Sequence, residues 1–134
     1  MKSDIKPPIV TDIAVAIVHE KGEDGAMVWN SYLLNLKNKT IEGVLVSTKG
    51  YGKKEKETVK TSMLRHFLDT MEPNSFVKIE PIVDDLVGLS NEFWVSFYLN
   101  KVMHDKKYVF MAESIKEQNL IDIPLINKKG VMIK

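Results

Sequence analysis

The stretch Glu92-Phe93-Trp94-Val95-Ser96-Phe97-Tyr98-Leu99-Asn100 constrains the fold more than any other part of the chain. Phe93, Val95, Phe97 and Leu99 share one parity, and Glu92, Trp94, Ser96, Tyr98 and Asn100 share the other. Side chains alternate across a strand, so the pattern specifies a half-buried β-strand with an apolar inner face. The outer face is less ordinary, because a plain solvated strand needs no large aromatics. Trp94 and Tyr98 are spaced to lie on the same side, about 13 Å apart. Either another part of the fold covers them, or they mark an interface.

The rest of the chain reads in the same terms. Residues 12–20 (DIAVAIVHE) are apolar on both faces and read as a central strand. Residues 27–36 and 41–48 read as the next two strands, with Trp29 in the core. Residues 49–60 read as a glycine- and lysine-rich loop, 72–75 as a turn, and 76–83 as a strand with Val77 and Ile79 inward. Residues 93–99 and 107–111 then form a hairpin. Residues 120–134 are extended and apolar, and Pro124 interrupts them. Residues 61–71 remain open: Met63, Leu64, Phe67, Leu68 and Met71 follow helical spacing, whereas the neighbouring turn and strand favour a further strand.

Short strands at this spacing, with no long helices to link parallel ones, point to an all-β fold. The expected architecture is an immunoglobulin-like antiparallel β-sandwich of about seven strands, with room for a short helix in 61–71 or near 114–119. One domain spans 1–134, with extended arms at 1–11 and 120–134. A chain of 134 residues is long enough for a core without staples.

Composition narrows the chemistry. Cysteine is absent, which excludes disulfides and thiolate chemistry. Residues 1–8 lack an apolar run of signal-peptide length, and no segment approaches the roughly 18 apolar residues that span a bilayer. We therefore expect a cytoplasmic protein without a membrane partner. A net charge of +1 gives no overall steering toward polyanions.

The candidate sites are few. Lys49, Tyr51, Lys53, Lys54 and Lys56 combine cations with a stacking ring, as a nucleic-acid contact would, although Glu55 and Glu57 interrupt the run. His19, His66 and His104 have no metal-ligand spacing. Glu80, Asp84 and Asp85 are the nearest carboxylates to a pair, but Asp84 and Asp85 read as turn residues. Ser31, Ser47, Ser62 and Ser96 have no nucleophile-elbow context. A small enzyme would have to place His66 and Arg65 in one cleft. We expect no catalytic residue, metal or cofactor.

Four fragments carry a resemblance: Val46-Ser47-Thr48-Lys49-Gly50-Tyr51-Gly52, Leu64-Arg65-His66, Val77-Lys78-Ile79-Glu80 and Asn91-Glu92-Phe93-Trp94-Val95-Ser96-Phe97. Together they resemble a group of small uncharacterised proteins of Bacteroidetes, over most of the chain. Some members carry a phenylalanyl-tRNA synthetase subunit label. The resemblance implies an RNA-binding or synthetase-associated module as an alternative function, since no class II synthetase motif is recognisable here. The leading expectation is a non-enzymatic module that binds a protein partner or forms a homodimer. Its contacts would be Trp94 and Tyr98, with Ile121, Ile123 and Leu125 from the C-terminal arm.

Overall fold

The run of apolar residues on both parities of residues 13–18 requires a strand covered on two sides, and β1 (Ile13–Lys21) is that strand. The computed structural model describes residues 8–61 and 63–134, and for Lys54 the backbone alone. Residues 1–7 of the N-terminal arm, Ser62 and the Lys54 side chain lie outside the described residues.

Two antiparallel five-stranded sheets form a sandwich. The first contains β1, β2 (Met27–Asn35), β6 (Ser75–Ile82), β9 (Ile121–Ile123) and β10 (Lys128–Ile133), in the order β6-β2-β1-β10-β9. The second contains β3 (Ile41–Lys54), β4 (Glu57–Lys60), β5 (Leu64–Met71), β7 (Ser90–Leu99) and β8 (Val102–Phe110). Its order is β4-β3-β7-β8, and β5 also pairs with β3. Among the described residues, helix is confined to α1 (Asp84–Val87) and one 3-10 turn, Glu117–Asn119.

The ten strands among the described residues exceed the seven or so read from sequence, for identifiable reasons. Residues 49–60 are a hairpin rather than a loop. β3 runs on to Lys54, and Glu55 and Lys56 turn the chain with φ of 52° and 74° before β4 returns. Asn100 and Lys101 make the same kind of turn at φ of 53° and 66°, so β8 begins at Val102 rather than near residue 107. Two successive positive φ values give the twist a two-residue hairpin needs, but Glu-Lys and Asn-Lys lack the glycine that usually signals it. The ambiguous segment becomes β5, because β3 offers it an edge: Thr48 pairs with Leu64, Val46 with His66 and Ile41 with Met71. Tertiary pairing overrides its helical spacing.

Between the sheets lie Ile13, Val15, Ile17, Leu33, Val44, Val46, Phe93, Val95 and Phe97, all buried. Phe97 is 1% exposed, as its parity requires, and Val77 and Ile79 face the same core. Tyr108 is buried with them, and its hydroxyl donates to the Ile13 carbonyl at 2.7 Å. Burial pushes that phenol well above its ordinary pKa. Trp29 sits at the core margin, half-buried, with its ring stacked on His19 at 4.2 Å.

The C-terminal segment is built into the first sheet. β10 pairs with β1 from Val15↔Ile133 to Val18↔Gly130. A Cβ at Gly130 would come within 2.5 Å of the Ile17 carbonyl oxygen, so this approach requires glycine. Ile123, Ile126 and Met132 pack with Ala14, Ala16, Val18 and Leu34 on the outer face of this sheet. Beside them the buried Glu20 carboxylate accepts from Asn30 Nδ2 at 2.7 Å, the Tyr32 hydroxyl at 2.6 Å and Lys128 Nζ at 2.7 Å. Burial alone would raise the Glu20 pKa, but the bonds from Lys128, Tyr32 and Asn30 outweigh it and hold the pKa below the ordinary value. Burial and the adjoining carboxylate push Tyr32 up to about 12. Among the described residues, no helix is long and apolar enough to cross a membrane.

Candidate functional site

The antiparallel registers assemble the outer face of the second sheet row by row. Arg65, Ser47, Trp94 and Lys107 form one row across β5, β3, β7 and β8. Phe67, Leu45, Ser96 and Asp105 form the next. Glu42, Tyr98 and Met103 form a third, and Lys49, Glu92 and Val109 a fourth. Direct cross-strand neighbours share a face, so these side chains make one continuous surface.

This surface is open and apolar at its centre. Trp94 is 47% exposed, Tyr98 46%, Phe67 67% and Met103 52%. Around them stand Arg65 and Lys107 against Asp105 and Glu42, all exposed. Glu92 is nearly buried between Lys49, whose Nζ lies 3.6 Å from Oε2, and Lys107, whose Nζ lies 3.9 Å from Oε1. Lys107 also lies over the Trp94 ring, 5.1 Å from its centroid. These contacts hold the indole in place while leaving one side of it open. Tyr98 rests on Gly43, whose φ is +57° and whose added Cβ would meet the ring at 3.2 Å.

The C-terminal residues do not join this surface, which corrects the grouping expected from sequence. Ile123 is 1% exposed in the outer layer of the first sheet, Leu125 lies half-buried in the turn after β9, and Ile121 is exposed near the β9 edge. The tail therefore covers the opposite side of the sandwich. Its apolar content was legible, but which β-sheet it joins depends on a pairing between β1 and β10 that no local pattern encodes. Conversely, sequence reading missed Phe67 and Met103. Each lies in a segment read either ambiguously or as connection, and each becomes outward only once its strand register is known.

The lysine group is distributed differently from a phosphate-binding loop. Lys49 and Lys53 lie on β3, and Lys49 Nζ sits 5.8 Å from the Tyr51 ring centroid as well as beside Glu92. Lys56 is in the hairpin turn, and Lys54 pairs by its backbone with Glu57. Arg65 and His66 occupy successive β5 positions, so they point to opposite sides of the sheet rather than into one cleft.

His66 faces inward and meets Glu80 across the seam between the sheets. Its Nε2 lies 2.6 Å from Glu80 Oε1, and the Thr48 hydroxyl donates to the same oxygen at 2.7 Å. A bulge sets this up: Ser31 pairs with Glu80 but Tyr32 pairs with Lys78. The extra residue shifts the parity of β6, so Val77 and Ile79 face the core before it, and Glu80 and Ile82 turn inward after it. Sequence alternation alone sends Glu80 to solvent. Asp84 and Asp85 begin α1 and lie in its exposed first turn. Among the described residues, no group of three or more His, Asp or Glu side chains is placed to hold a metal.

No family model, curated protein or solved structure matches this chain.

Proposed function

We propose that this protein is a non-catalytic, cytoplasmic binding module that associates with a second copy of itself through the outer face of the second sheet. The observation that carries the reading is the contiguous set of Phe67, Trp94, Tyr98 and Met103, each close to or above half exposed on one sheet face. Leaving such side chains in water forgoes roughly 1.5–3 kcal/mol of burial for each. Aromatic residues, methionine and arginine are the types enriched where proteins meet.

The charges favour a copy over a polyanion. Arg65 and Lys107 are interspersed with Asp105 and Glu42, so two such faces meet without a net like-charge penalty and with opposite charges to pair. Size also fits. Four strands at about 4.8 Å and eight residues at about 3.3 Å project roughly 500 Å², which the relief of large side chains raises toward the ~800 Å² per partner of a stable interface. The nucleic-acid alternative has less support, because Glu92 lies beside both Lys49 and Lys107 and offsets one of their two charges at the aromatic centre.

Sedimentation equilibrium tests the proposal. The intact protein should show a concentration-dependent dimer, and the Phe67→Ser, Trp94→Ser double variant should remain a monomer with an unchanged circular dichroism spectrum. A monomeric intact protein at all concentrations overturns self-association. A dimer that survives the double variant places the interface elsewhere.

A further inference from the structure

A pocket of about 190 Å³ opens at the end of the sandwich where β3, β5, β6, α1 and β7 converge. Its wall is apolar at Leu64, Ile82 and Phe93, and polar at Glu80, Asn91 and Thr61. The polar groups are fixed by bonds that leave specific atoms free. Glu80 is held by Thr48 and His66 at Oε1, while its backbone N–H donates to Ser31 Oγ at 3.2 Å and its carbonyl accepts from Ser31 Oγ at 2.7 Å. Oε2 accepts nothing among the described residues. Asn91 is 4% exposed, and its amide nitrogen donates to the Leu86 and Leu89 carbonyls at 2.9 and 3.0 Å. Both amide hydrogens are thereby used, the amide orientation is set, and Oδ1 accepts no bond among the described residues. Thr61 Oγ1 accepts from the Gly50 N–H at 2.7 Å.

The free groups are thus two acceptors, a carboxylate oxygen and an amide oxygen, with the Thr61 hydroxyl hydrogen beside them, in front of an apolar wall. Such a set complements a donor-rich, positively charged head on a compact apolar body. The other two charged residues of the lining, Lys49 and Glu92, pair with each other at 3.6 Å, which leaves Glu80 as the charge a ligand would meet. An apolar cavity of about 150 Å³ accommodates benzene, so this one takes a body of about one ring. We propose that the pocket is a binding site for a small organic cation, a primary ammonium on a one-ring or equally compact hydrocarbon, with Glu80 Oε2 and Asn91 Oδ1 as its acceptors. The β6 bulge is the device that delivers the carboxylate to it.

Amide-detected NMR titration of the full chain tests this, with benzylamine, benzyl alcohol and benzoate as probes. Benzylamine should give saturable shifts at the Asn91 side-chain amide and at the Gly50 and Thr61 backbone amides. Benzyl alcohol should bind about tenfold or more weakly, because it lacks the charge that Glu80 recognises, and benzoate should not saturate. Glu80→Gln should reduce benzylamine affinity to that of the alcohol. Leu64→Trp, at the exposed rim, fills the pocket without touching the carboxylate network and should block binding even if Glu80→Gln folds poorly. Three results overturn the proposal: no saturation up to the solubility limit, equal binding of benzoate, or shifts centred on Trp94 rather than Asn91. The dimer proposal is read from mass and stands or falls separately.

Discussion

The two outer faces of this sandwich solve the same problem in opposite ways. On the first sheet, Ala14, Ala16 and Val18 are fully buried, because the C-terminal tail sets Ile123, Ile126 and Met132 against them from the adjoining strands and turn. On the second sheet, Trp94, Phe67 and Tyr98 have no such cover among the described residues and remain about half exposed or more. Small residues under a tail make a closed face, and large aromatics without one make a face that something else must close. The C-terminal tail is committed to the first sheet by the close approach of Gly130 to β1.

The sharpest way to break this contrast lies within a single strand. Phe97 is fully buried and stacks on His104 at 5.2 Å, so Phe97→Ala should cost on the order of 3–5 kcal/mol. A domain of this size has about 5–15 kcal/mol in total, so the variant's denaturation midpoint should fall by at least about a fifth. Trp94→Ala, three residues earlier on the opposite parity, should leave the midpoint nearly unchanged. Equal losses in chemical denaturation would mean that the two faces of β7 are not distinct.

Unsealing the first face should give the next largest effect. Gly130→Ala places a methyl against the Ile17 carbonyl and should cost at least about 1–3 kcal/mol by separating β10 from β1. Hydrogen exchange should quicken in β9 and β10 first, with β7 and β8 unaffected. Faster exchange throughout the second sheet would show that the two faces are not independently closed.

Glu20 offers a pH test of the same seal. Its folded pKa lies below the ordinary value, so its contribution is present above the carboxylate range and is lost as pH falls through that range to the folded pKa. Glu20→Gln should cost about 1.5–3 kcal/mol near neutrality, and the gap from the intact protein should shrink in acid. Tyr32 acts at the other end, because its raised pKa makes its contribution present below its ordinary value of about 10 and lost as pH rises toward about 12. A gap in melting temperature that stays constant from acid to neutral pH would remove Glu20 from the seal. The smallest expected effect is on the open face, where Phe67→Ser and Trp94→Ser should each change monomer stability by within about 0.5 kcal/mol.

Much of the fold was legible in sequence. Period-two alternation fixed β7 face by face, and the doubly apolar run of residues 13–18 marked β1 as central. Cysteine-free composition removed whole classes of chemistry. What escaped was non-local or geometric. The Glu55-Lys56 and Asn100-Lys101 turns use positive φ without glycine, so the first hairpin reads as a loop and the second, although legible as a hairpin, is given too long a connection. The β6 bulge inverts the parity of Glu80, and no pattern in residues 76–83 announces it. The destination of the tail depends on which strand it pairs with. Trp94 and Tyr98 were found as a pair, but their neighbours Phe67 and Met103 became visible only once registers joined four strands into one surface.

The central claim, that the second sheet's outer face closes against another copy of the chain, is tested most directly by Trp94 itself. Trp29→Phe leaves Trp94 as the single indole, and its emission can be followed as protein concentration rises. The account predicts a blue shift and loss of quencher access that track dimer formation. Emission that stays solvent-like and fully quenchable at every concentration, with dimer present, would contradict it.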